Sequence, residues 1–157
     1  MATAITVEQY LDQHRVPYEV LTHHHTHNSR QTARAAHIEP AQLVKAVMLD
    51  DERGRRVMAV LPASRHLRLG DLRRQIGHDF GMATERAAAE VFQDCEPGAF
   101  PPLGPAYGVE TIWDDSLMDA CDVFFEAGDH RHVVHMSAIA YLDALGICRH
   151  GAFSEPL

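Results

Sequence analysis

Along the chain, short apolar runs alternate with polar stretches rich in turn residues. "TVEQYLDQHR" (6–15) sets Val7, Tyr10 and Leu11 at helical spacing behind Thr6, which reads as the cap, and Pro17 closes the segment. "YEVLTH" then reads as a strand, and "SRQTARAAHI" (29–38) predicts a helix with a Ser or Thr start, ended by "EP". "VKAVMLD" and "RRVMAVLPA" are apolar runs separated by "DERG", a hairpin signal with Gly54 at the turn. "LGDLRRQIG" (69–77) and "TERAAAEVF" (84–92) predict short helices, the first stopped by Gly77 and the second capped by Thr84. "CEPGAFPPLGPAYG" (95–108), with four prolines and three glycines, reads as a stiff irregular loop. Strands follow at "VETIWD", "DVFFEAG" and "RHVVHMS", and the helix "SAIAYLDAL" closes the pattern at Gly146. A hairpin and consecutive late strands argue against a simple doubly wound order. The expectation is an α/β (α+β) fold, one domain over residues 1–157, with a mixed β-sheet flanked by helices.

Composition changes this picture little. The chain has 157 residues, ordinary hydrophobic content (46%) and three widely spaced cysteines without a CxxC pair, which reads as a cytoplasmic protein with reduced thiols. Neither a signal peptide nor a membrane span is visible in the pattern. Charge adds more. The net charge of −8 argues against indiscriminate binding of nucleic acid, DNA included. Yet Arg53, Arg55, Arg56, Arg65, Arg68, Arg73 and Arg74 fall within one stretch against a single acid, Asp71, which is half of the 14 Lys and Arg. Such a stripe suits a polyanion held in one orientation; the alternative is a solvated arginine face.

Lys45 is the only lysine, and it lies inside "LVKAVML" (43–49), on the strand face of Leu43, Val47 and Leu49. It either snorkels from the strand end or points a compact ammonium into a cleft, where it could contact a phosphate, carboxylate or ester carbonyl. Gly98 in "PGAFPPLG" permits unusual backbone angles, and Pro101 and Pro102 fix their own, so the N–H groups of Gly98, Ala99 and Phe100 would be held in place. Pre-aimed N–H groups are what a carbonyl needs as it becomes an oxyanion, although a purely structural turn would look the same. Gly128 and Asp129 predict a turn before a strand carrying His130 and His132 on one side and His135 on the other. A histidine there could orient substrate or simply bond at the surface. His23, His24, His25 and His27 raise a metal, but with no HExxH or thiolate pattern and no carboxylate within ten residues after the cluster they read as exposed loop histidines. Ser64 and Cys95 lack the partnering pattern of a nucleophile, and no phosphate-loop, dinucleotide or GxSxG motif is present.

Taken in order, "LVKAVML", "RRVMAVLPASRHLRLGDLR", "CEPGAFPPLG", "DDSL" and "VFFEAGDHRHVVHMS" resemble the YbaK and prolyl-tRNA-synthetase-associated editing domains over nearly the whole chain. The resemblance implies a mixed α/β domain that removes a wrong amino acid from the 3′ end of a tRNA, commonly tRNA(Pro), acting in trans. Lys45 matches the family's critical lysine, Gly98 to Pro102 its GxxxP loop, and Gly128 with His130 its Gly-x-His turn. Catalytic roles are thereby implied for Lys45, Gly98 and His130, and substrate contacts for Ala99, Phe100, Pro101, Pro102, Gly128, Ser29 and Thr32. The stripe residues Arg65, Arg68, Arg73 and Arg74 become acceptor-stem candidates. No cofactor or metal is expected; the partners would be mischarged tRNA and an aminoacyl-tRNA synthetase, with no membrane or DNA. Two rival readings are a non-catalytic tRNA- or synthetase-binding module and a metal-dependent hydrolase built on His23–His27.

Overall fold

The structure is a computed structural model and describes residues 3–157. Its frame is a mixed sheet in the order β1-β8-β7-β2-β3-β6-β9, with β5 added to β2. The strands are β1 (Glu19–Thr22), β2 (Leu43–Asp51), β3 (Arg56–Pro62), β5 (Phe80–Met82), β6 (Glu110–Asp114), β7 (Asp122–Glu126), β8 (His132–Ser137) and β9 (Arg149–Gly151). A separate two-stranded ribbon pairs β4 (Arg65–Leu67) with β10 (Ser154–Pro156). The expected hairpin forms: β2 and β3 pair from Val44↔Pro62 to Asp50↔Arg56, with Gly54 at φ 79° in the turn. Strand β3 is central, and its Val57 to Leu61 are fully buried, as a continuous apolar run requires.

Helices cover both faces. Alternate residues of β2 point in opposite directions. Val44 and Met48 join a core with Val7 and Leu11 of α1 (Ile5–Gln13), Ala88 of α4 (Glu85–Val91) and Tyr141 of α5 (Ala138–Leu145). On the opposite face Leu49 packs with Leu72 and Ile76 of α3 (Leu69–Ile76), while Leu43 packs with Ala33 of α2 (Ser29–Ala35). Burying each of the Val, Leu, Ile and Met side chains among these contributes about 1.5–3 kcal/mol. Along this face of β2, Lys45 falls at the seam between Leu43 of the α2 cluster and Val47 and Leu49 of the α3 cluster. That seam is why a lysine can interrupt an apolar strand.

Several local expectations are corrected. Thr6 is not a cap: α1 begins at Ile5, and the Thr6 N–H donates to Asp94 Oδ2 at 2.9 Å. Asn28, not a Ser or Thr, caps α2 by accepting from the Gln31 N–H. His130 is not on a strand; it precedes β8 at φ 59°, with its side chain buried. The pattern does not close at Gly146 either, because β9 and β10 follow. Three-residue polar strands carry no alternation to read, yet Phe153 between them is fully buried. Among the described residues, no helix is long and apolar enough to cross a membrane.

Candidate functional site

The site arises from a fork in the sheet. On one edge of β2, Leu43 and Val44 pair in parallel with Phe124 and Phe125 of β7, whereas Leu49 to Asp51 pair antiparallel with β5. Between these ladders the strand edge separates from β7, and a cleft of about 320 Å³ opens. It is lined by Ala46, Val47 and Met48 of β2, Met82 to Glu85, Ala88, His27, and Pro97, Gly98 and Phe100 of the proline-rich loop. Lys45 is the next residue along β2; it is not itself a lining residue, but Val47, which shares its face, is. A larger groove of about 570 Å³ runs along Glu110, Thr111, Leu145 and Ile147–Arg149, and it contains none of Lys45, Gly98–Pro102 or the candidate histidines.

The Lys45 side chain is half-buried and makes no hydrogen bond or ion pair among the described residues, and burial pulls its pKa below the ordinary lysine value. An ammonium in this state gains from an anionic ligand, since no protein carboxylate offsets its lost hydration.

The loop is held against the turn before β8. Gly98 has φ 82°, and a Cβ there would lie 3.4 Å from His130 Cε1. His130 donates Nε2–H to the Pro97 carbonyl at 2.6 Å. A carbonyl only accepts, so this bond fixes a proton on Nε2. Glu96 N–H donates to the Gly128 carbonyl at 2.7 Å, tying the two turns together a second time. Ala99 N–H is spent on the Glu96 carbonyl at 3.1 Å, whereas the N–H groups of Gly98 and Phe100 donate to no described group. The oxyanion-type donors expected of this loop thus reduce to Gly98 and Phe100. Phe100 stacks on Phe92 with ring centroids 4.5 Å apart.

Other candidates stand behind the cleft. Pro101 and Pro102 are buried, and the Pro102 carbonyl accepts from Tyr141 Oη at 2.5 Å, so they anchor the loop in the core. Gly128 (φ 118°) is buried, and a Cβ there would lie 3.1 Å from that of Ala4 and 3.2 Å from Cys95 Sγ. Thr32 is fully buried: its hydroxyl donates to Glu126 Oε1 at 2.5 Å and lies 2.7 Å from that of Thr26, whose N–H donates to the His130 carbonyl. This chain of bonds supports the His130 turn from below. Burial pushes the Glu126 carboxyl up, against the opposing bond from Thr32. Ser29, the first residue of α2, does not line the cleft.

The histidine run divides. His23 is buried, contrary to the expectation of exposed histidines, and burial lowers its pKa. The ring of His25 packs 5.0 Å from that of His27 and 5.5 Å from that of His130. Among the described residues, no group of three or more His, Cys, Asp or Glu is arranged to hold a metal ion. Cys95 is a poor nucleophile, its thiol pushed up to about 12 chiefly by burial.

The family model for the aminoacyl-tRNA editing domain matches residues 23–144. The chain belongs to that family. The matched range contains every element of the forked cleft, from His27 to the His130 turn. No curated protein matches the chain. Solved structures share the editing-domain fold at low identity. One, described as a candidate trans-editing enzyme for prolyl-tRNA synthetase, is 22% identical with a TM-score of 0.80, over 97% of this chain and 96% of its own. A second, described only as a hypothetical protein, is 18% identical with a TM-score of 0.84 and coverages of 96% and 99%. A third, a candidate signal transduction protein from Marinobacter aquaeolei VT8, is 21% identical with a TM-score of 0.76. The match to it covers 96% of this chain but 30% of the other.

Of the site residues expected from the sequence, the fold brings Gly98, Phe100 and His130 together beside the cleft and places Lys45 next along β2. Sequence reasoning missed Met82, Thr84, Glu85 and Ala88 as lining residues. They carry no local signal, because they reach the cleft only through the pairing of β5 with the far end of β2.

Proposed function

We propose that the protein is an aminoacyl-tRNA deacylase that hydrolyses, in trans, the ester joining a wrong small amino acid to the 3′ end of a tRNA, with tRNA(Pro) the first candidate. The observation that carries this reading is the glycine bend, clamped by His130, in the wall of a cleft whose β2 side begins at Ala46, the residue after the unpaired Lys45. Water adds to the acyl carbon, and charge develops on the carbonyl oxygen. The C–O bond to the ribose then breaks, the ribose oxygen takes a proton, and the amino acid leaves. The ester is already activated, so positioning and charge stabilisation suffice without a protein nucleophile. In this scheme the N–H groups of Gly98 and Phe100 receive the developing oxyanion, a contact of the kind worth about 3–4 kcal/mol. Lys45 neutralises the terminal phosphate. His130 acts by holding the bend, since its Nε2 is committed to Pro97 and the rest of the ring is buried. The lining is largely apolar around Ala46, Met48, Ala88 and Phe100, which suits a small side chain.

The test is release of labelled amino acid from a panel of misacylated tRNAs, run with and without chelator. Hydrolysis of one or more non-cognate esters, unaffected by chelation, is the expected outcome. Absence of turnover across the panel would leave the binding-module reading, and loss on chelation the metal-hydrolase one.

A further inference from the structure

The arginines of the stripe are mostly engaged. Arg55 is bonded to Glu110 at 2.6 Å, Arg56 to Asp50 at 2.8 Å, and Arg68 to Asp71 at 3.0 Å. Arg74 shares Asp71, Arg65 is held by Ser154, and Arg73 donates to the Phe80 carbonyl. Much of this charge is already neutralised by neighbouring carboxylates, and most of the rest is fixed in structural bonds.

Arg30, Arg34, Arg86 and Arg131 differ. All are exposed, and none has an ion pair or side-chain hydrogen bond among the described residues. Arg15, Arg53 and Arg149 are unpaired too, but they sit on segments that contribute no lining residue to the cleft. The four do belong to segments that build it. Arg30 and Arg34, one helical turn apart on α2, follow the lining residue His27; Arg86 follows the lining residue Glu85; Arg131 follows His130. The nearby acids form no ion pair with them: Asp129 is bonded to His132 at 2.6 Å, and Glu85 and Glu96 bridge to no cation among the described residues. Leaving four exposed guanidinium groups unpaired on the segments that build the cleft, in a chain of net charge −8, forgoes favourable pairing that the stripe does make.

We infer that Arg30, Arg34, Arg86 and Arg131 form the RNA-binding rim, receiving backbone phosphates around the 3′-terminal nucleotide while the stripe serves the fold. This rests on the deacylase reading for the identity of the partner. Guanidinium groups suit the purpose because they contact phosphate bidentately and stay charged at any working pH. Each phosphate neutralised on single-stranded RNA steepens the dependence of log affinity on log salt by about 0.7, so four contacts give a slope of about −3.

The test is fluorescence anisotropy of labelled uncharged tRNA, titrated with the full-length protein at several salt concentrations. The variants are R30Q/R34Q/R86Q/R131Q and, as the stripe control, R68Q/R74Q, each checked for folding by circular dichroism. The expected result is loss of most of the salt slope and at least about tenfold weaker binding at low salt in the rim variant, with the stripe control unchanged. A rim variant that keeps the wild-type slope, a slope lost in the stripe control instead, or salt-independent binding by the wild type would overturn the inference. Wild-type deacylation of the misacylated panel, measured separately, tells whether the function itself stands.

Discussion

At Gly98 the backbone takes φ 82°, and a methyl added there would meet a carbon of the His130 ring at 3.4 Å. Both facts bear on Gly98→Ala. The left-handed angle costs an L residue about 1–2 kcal/mol, and the methyl presses on an imidazole that is buried and bonded to Pro97. For a chain of this size that lowers the melting temperature by roughly 2–6 °C. The displaced Gly98 N–H should reduce kcat for deacylation by about tenfold or more, on the scale of a weakened oxyanion donor. Single-turnover rates beside thermal melts would check this, and an unchanged kcat would remove Gly98 from the reaction. At this scale the sequence was legible in part. A lone lysine and a glycine followed by two prolines stood out by type. What could not be seen is that Ala99 N–H is consumed inside the loop, that Pro101 and Pro102 are buried anchors, or that His130 adopts φ 59°.

Strands β1, β8 and β7 are joined across their surface by one imidazole. His135 Nδ1 bonds to Glu19 Oε1 at 2.5 Å and Nε2 to Asp122 Oδ1 at 3.0 Å, while the ring stacks on Phe124 at 4.4 Å. Burial alone would lower the His135 pKa, but the two carboxylates outweigh it and leave the value raised. A raised folded-state pKa means that the fold holds the proton more tightly than the unfolded chain. The stabilisation is therefore complete below about pH 6.5, while the carboxylates stay ionised, and fades as pH rises through the folded value. Both carboxylates are substantially exposed, so the effect is roughly 1 kcal/mol or less. His135→Gln should accordingly lower the melting temperature more at about pH 5.5 than at about pH 8.5; an equal loss at both would contradict the clasp. Elements with strong periodicity, such as the β2–β3 hairpin and the helix α5, could be read from the chain. The strands β4, β5, β9 and β10 could not, since three residues set no period and their pairing is decided by distant partners.

Over the whole molecule, the proposed function rests on where the sheet divides. Strand β2 gives its first residues to β7 and its last to β5, and the gap between them becomes the cleft, with Lys45 at its edge in the seam between two small cores. No pattern within a segment could reveal that fork, and charge counting along the sequence could not show which arginines find carboxylates across the fold. The central claim is that the unpaired ammonium and the glycine bend act on one substrate end. Its most direct test is single-turnover deacylation of a misacylated tRNA by Lys45→Ala and Lys45→Arg beside the wild type. The account predicts a loss of about 10²-fold or more for the alanine variant, at unchanged folding, with incomplete rescue by arginine, in line with losing a charged contact worth about 2–5 kcal/mol. Undiminished turnover by the alanine variant would contradict it.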